Sequence, residues 1–99
     1  MNSTIQVGIL GAGGFTGQEL MRIFARHPYV HLAYVTSSEY AGKTILEAFP
    51  ALYHERYKNL KFSTHPQSVS DVPKLDVIFL ATPDDVSLKW APEFLNAGV

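Results

Sequence analysis

The stretch that most constrains this chain is Gly11-Ala12-Gly13-Gly14-Phe15-Thr16-Gly17. The apolar, β-branched run Ile5–Leu10 leads into it, and a helical pattern over residues 20–25 leads out. A buried strand that ends in glycines and opens a helix leaves bare backbone N–H groups at the helix N-terminus, where the aligned peptide dipoles favour an anion. The spacing is G-x-x-G-x-x-G with Gly13 added, because G-x-G-x-x-G would need glycine where Thr16 stands. The physical jobs are the same. One glycine turns the chain, one lets backbone approach a phosphate, and one lets helix pack on strand. Four glycines in seven residues is more freedom than a ligand-free turn needs. Gly11, Gly13, Gly14 and Gly17 are therefore candidate cofactor-binding residues, with the pyrophosphate of a dinucleotide as occupant.

The rest of the chain reads as βαβ architecture. Gly8 weakens its strand and needs a reason, for which close approach of the following helix is expected. Thr16 with Glu19 fits a capping box, and a phosphate contact is the competing role for Thr16. Leu20, Ile23 and Phe24 share a helix face, Arg26 and His27 suit the negative helix end, and Pro28 stops the helix. Val30–Thr36 is the second strand. Its tip, Thr36-Ser37-Ser38, carries no acid before Glu39. A carboxylate at such a tip hydrogen-bonds the ribose of NAD, whereas small hydroxyls leave room for the 2′-phosphate of NADP and can donate to it. A plain polar turn is the alternative.

Ile45, Leu46 and Phe49 fit one helical turn before Pro50, residues 60–63 a short edge strand, and residues 67–72 a short helix. Residues 75–81 form the third strong strand, ending at Thr82-Pro83. Asp84-Asp85 reads as an N-cap pair for a helical pattern through Val86, Trp90, Phe94 and Leu95, with Gly98 as its stop and Pro92 kinking it or starting a second turn. The four histidines have no metal-ligand spacing and read as surface or structural. Right-handed crossovers give a Rossmann-type, doubly wound parallel α/β sheet of order 3-2-1-4. The switch point then sets the glycine loop and Ala81-Thr82-Pro83 on two sides of one ligand crevice.

Ninety-nine residues suit a single dinucleotide-binding domain, residues 1–99. A net charge of −1 without a Lys or Arg cluster argues against nucleic acid or an anionic membrane as partner. No apolar run is long enough for a membrane span, and the first residues do not read as a signal peptide. The absence of cysteine removes disulfides, thiolate metal sites and a thiol nucleophile from these residues, and fits a reducing cytoplasm.

The stretches GAGGFTGQEL, RHPYV, VTSSEYAGK, AFPAL, DVIFLATPDDVS and APEFLNAGV resemble the leading, NADP-binding part of the N-acetyl-γ-glutamyl-phosphate reductases of arginine biosynthesis. Tyr40-Ala41-Gly42-Lys43, and RHP paired with the glycine loop, are more specific than any dinucleotide fingerprint. Aspartate-semialdehyde dehydrogenase is a more distant likeness. The resemblance implies that Gly11, Gly14 and Gly17, with Phe15 and Thr16, hold the cofactor phosphates. It puts Ser37 and Ser38 at the 2′-phosphate, and lines the cofactor with Ala81, Thr82 and Pro83. It also implies reduction of an acyl phosphate by NADPH through a cysteine thioester, with a histidine as acid-base. Two departures stand out: Ser38 where family members often have Arg, and Pro83-Asp84-Asp85 where many have Pro-His-Gly, so no role passes to Asp84 or Asp85.

On this reading the chain is the leading fragment of a longer, homo-oligomeric enzyme, inactive alone. Its catalytic and substrate residues lie beyond Val99, and its sheet is incomplete at the C-terminal edge, which invites self-association. A non-catalytic dinucleotide-binding or sensing module, or the cofactor domain of another semialdehyde dehydrogenase, remains the alternative.

Overall fold

A computed structural model describes residues 4–52, 54–82, 90–94, 96 and 98. β1 (Ile5–Leu10) is followed by α1 (Phe15–Phe24), β2 (Val30–Thr36), α2 (Ile45–Ala48), β3 (Phe62–Ser63) and β4 (Val77–Leu80). Short 3₁₀ turns occupy Pro50–Leu52, Glu55–Tyr57 and Val69–Asp71, and residues 90–94 are helical. The sheet order is β3-β2-β1-β4, and these strands pair in parallel. This is the 3-2-1-4 arrangement that right-handed crossovers require. Ladder bonding runs past the ends of β4, since Asp76 N–H donates to Gln6 C=O and Ala81 N–H to Leu10 C=O. Pro83, Asp84, Asp85, Val86 and Leu95 lie outside the described residues.

Burial on both faces explains the unbroken apolar strands. On one face, Val7, Ile9, Leu32 and Val35 pack with Met21 and Phe24 of α1 and with Ile45, Tyr57 and Phe62. On the other, Leu10 and Tyr34 pack with Leu75, Trp90 and Phe94. Opposite Val7 and Gly8 of β1 the partners are Leu32 and Tyr34, so Ala33 is skipped. Because side chains alternate along a strand, one skipped residue reverses the facing of all that follow. Leu32 therefore faces α1, and Tyr34, two residues on, faces the opposite way.

The position of Gly8 follows from that second face. A Cβ there would lie 2.5 Å from Leu75 Cδ1 and 3.0 Å from Ile78 Cδ1. The close neighbour is thus the chain entering β4, not the following helix. The capping box at Thr16 and Glu19 is also overturned. Gly14, extended at φ −81° and ψ 176°, is the N-cap without a side-chain cap, so α1 begins before Thr16. Glu19 instead pairs with Arg22, and that hydrogen bond holds its carboxyl below the usual range. Capping boxes occur at Thr44–Glu47 and Ser68–Asp71.

Arg56 satisfies the C-terminal end of α1 from a distance. Its guanidinium donates to the carbonyls of Phe24 (3.2 Å), Ala25 (3.3 Å) and His27 (2.6 Å), and also to that of Val30 at the start of β2. Beside it, the Tyr57 hydroxyl donates to Met21 C=O at 2.5 Å.

Candidate functional site

The glycine loop is built by contacts that leave little room for side chains. Gly11 turns the chain at φ +83°, and a Cβ there would lie 2.9 Å from Thr82 Cγ2 and 3.0 Å from Ala81 C=O. The loop hangs from the tip of β2: Gly11 N–H donates to Thr36 Oγ1 (3.0 Å) and Ala12 N–H to Thr36 C=O (2.8 Å). A Cβ on Gly17 would come within 2.5 Å of Ala12 Cα, so α1 rests directly on loop backbone. A Cβ on Gly13 would meet Ser37 Oγ at 2.7 Å, which lets the loop lie against the end of β2. Gly14 differs, because its Cβ would have nothing nearer than Gly11 C=O at 3.7 Å. It borders open space at the start of α1, where the N–H groups of Phe15, Thr16 and Gly17 have no acceptor among the described residues.

These elements border a cleft of about 280 Å³ at the C-terminal ends of the strands. Gly11, Gly13, Gly14, Ser37, Ser38, Ala81 and Thr82 line it, all of them expected from the sequence. The glycine loop and the end of β4 do face each other across the switch point, where open α/β sheets take their ligands. Phe15, Thr16 and Gly17 are not in the lining. Phe15 is 88% exposed, Thr16 is exposed in the first helical turn, and Gly17 is buried beneath the loop. Their backbone N–H groups, not their side chains, are what they can offer an anion. Pro83 lies outside the described residues. A second cleft of similar volume runs between the start of β2 and residues 55–60, away from the loop.

The serines have separate tasks. Ser37 is buried and its hydroxyl accepts from Tyr40 N–H at 3.1 Å, closing a turn. Ser38 is exposed on the cleft. Glu39 and His65 also line it, and the sequence pattern had not brought either forward. His65 sits just after β3, with Nδ1 2.8 Å from Thr36 Oγ1. The placement of the short edge strand beside β2 was the one signal that could have found it. No group of His, Asp or Glu among the described residues could hold a metal ion, and no described helix is long and apolar enough to cross a membrane.

This geometry suits a dinucleotide: an open, glycine-bordered cradle, unpaired amides and a helix N-terminus at a topological switch point. Over residues 6–99 the chain matches the family described as semialdehyde dehydrogenase, NAD binding domain. The chain belongs to the semialdehyde dehydrogenase family. As the NAD-binding domain of that family it binds a nicotinamide dinucleotide. This semialdehyde dehydrogenase domain is 43% identical over 93 residues to an N-acetyl-γ-glutamyl-phosphate reductase of Leptospira interrogans, covering 94% of the chain and 26% of the relative. It is 39% identical over 99 residues to a reductase of the same name from Neisseria meningitidis serogroup C, covering 100% and 27%. The chain thus spans about a quarter of the length of these relatives. Among solved structures, aspartate semialdehyde dehydrogenase with NADP from Candida albicans superposes with a TM-score of 0.74 at 24% identity, over 98% of this chain and 28% of that one. That likeness bears on the fold.

Proposed function

We propose that this domain is the NADP(H)-binding part of an N-acetyl-γ-glutamyl-phosphate reductase, which reduces N-acetylglutamyl phosphate to N-acetylglutamate semialdehyde with release of phosphate. The observation that carries the reading is one cleft joining the glycine-loop backbone to a strand tip of hydroxyls, Ser37 and Ser38. The names and identities of the relatives support the substrate class.

The dinucleotide supplies hydride when bound. The loop and the first-turn amides of α1 hold its diphosphate, with Gly14 giving the closest approach. Ser38 donates to the 2′-phosphate, while Ser37 shapes the turn that presents it. Ala81 and Thr82 form the opposite wall. The thiol nucleophile of such a reaction comes from outside these 99 residues, which contain no cysteine.

The test is the reverse reaction. The full-length protein, given N-acetylglutamate semialdehyde, phosphate and NADP⁺, should generate reduced nicotinamide absorbance, and residues 1–99 alone should not. Dinucleotide binding without turnover by the full-length protein would establish a sensing module instead. Turnover of aspartate semialdehyde in its place would move the domain to the sister activity.

A further inference from the structure

We propose that His65 reads the 2′-phosphate of the bound dinucleotide, donating Nε2–H while Thr36 holds the ring. This rests on the NADP(H) reading above and assigns the group that does the discriminating.

A 2′-phosphate brings about two negative charges and three acceptor oxygens, which proteins meet with cations or several donors. The cleft lining contains no Lys or Arg among the described residues. Its titratable side chains are Glu39 and His65, one of which repels phosphate. Ser37 is buried, with its hydroxyl accepting from Tyr40 N–H, and Thr36 is fully buried. Ser38 and His65 are the exposed side chains of the lining beside the β2 tip that can donate.

The hydrogen-bond network gives the ring a fixed edge. Thr36 Oγ1 accepts from Gly11 N–H and lies 2.8 Å from His65 Nδ1. A hydroxyl accepts up to twice and donates once, so this pair can be made with either ring tautomer. In the proposed arrangement the Thr36 proton goes to Nδ1, which leaves Nε2–H as the free donor of the ring. Thr36 thereby holds one edge of the imidazole. His65 is itself exposed and also borders the adjoining cleft formed with Tyr34, Ser63 and Asp71. Asp71 Oδ2 accepts from the N–H groups of Gln67 (3.2 Å) and Ser68 (3.3 Å).

The test is equilibrium titration of the full-length protein with NADPH and with NADH. His65→Asn keeps an acceptor near Thr36 and removes the distal donor; His65→Gln keeps a distal donor. His65→Asn should weaken NADPH binding about tenfold, the loss of one hydrogen bond to a charged group. NADH should change less than twofold, and His65→Gln should recover most of the NADPH affinity. Equal weakening of both cofactors, or unchanged NADPH affinity in His65→Asn, would overturn it. Wild-type protein that binds NADH as tightly as NADPH would overturn the NADP(H) reading itself. Wild-type preference for NADPH that survives His65→Asn would remove only the role of His65.

Discussion

Gly17 and Gly14 should fail in opposite ways when each is changed to alanine. At Gly17 the added methyl would stand 2.5 Å from Ala12 Cα and 2.8 Å from both Ala12 C and O. Carbon atoms pack at about 3.5–4.0 Å, so helix and loop must part by about 1 Å. Overpacking of this kind costs about 1–3 kcal/mol, and the upper end applies because the clashing atoms are backbone. Alanine in place of glycine inside a helix returns about 1 kcal/mol. The net loss is about 2 kcal/mol, and the urea midpoint of residues 1–99 should fall by roughly 1–2 M at unchanged slope. Gly14 has room for a methyl, and its φ of −81° suits any L-residue. Gly14→Ala should cost under about 1 kcal/mol of stability, yet weaken dinucleotide binding about tenfold or more, because the methyl occupies the approach to the helix N-terminus. An unshifted midpoint for Gly17→Ala would refute the packing argument. Stability lost with affinity kept in Gly14→Ala would refute the assignment of the cradle.

Two further outcomes follow from the far side of the core. Burial pushes the Tyr57 hydroxyl up to about 12, above its ordinary value of 10. The fold therefore binds a proton that the unfolded chain has lost, and stability should drop between about pH 10 and 12, by at most about 1.4 kcal/mol per pH unit. Tyr57→Phe should cost about 1 kcal/mol at neutral pH and remove that alkaline slope, as read by denaturant titration across pH. Arg56→Lys should lower stability by about 1–2 kcal/mol, because a single ammonium cannot serve four carbonyls spread from α1 to β2. A melting temperature equal to wild type would show that water replaces the guanidinium at no cost.

The sheet was legible because its strands are local signals. Val30–Thr36 has the bounds that its apolar, β-branched run suggests, and chirality alone orders the strands. The meeting of the glycine loop with Ala81 and Thr82 followed from that order. What stayed hidden depends on geometry that composition does not encode. Thr16 and Glu19 have capping-box chemistry, but the helix starts earlier because Gly17 has to settle on Ala12. The skipped Ala33 leaves no mark on a strand whose middle, Leu32 to Val35, is apolar throughout, where either register buries something suitable. His65 joins the cleft only once the short β3 is set beside β2. Arg26 and His27 looked suited to the end of α1, yet the carbonyls there are met by Arg56, whose neighbours in sequence say nothing of them.

That reach has a consequence for how the chain acquires its shape. A β-α-β hairpin is commonly pictured as a unit that closes on itself while the rest of the polypeptide is still being made. Here the bend between α1 and β2 is fastened by residues some thirty positions downstream. The first crossover therefore reaches its full stability only with residues 55–57 in place, and closing that loop carries an entropic cost. A nascent chain halted before Arg56 leaves the synthesis machinery with its bend unfastened, and proteases should cut it between Phe24 and Val30. The full 99 residues, which also bring β4 against β1, should resist that cut.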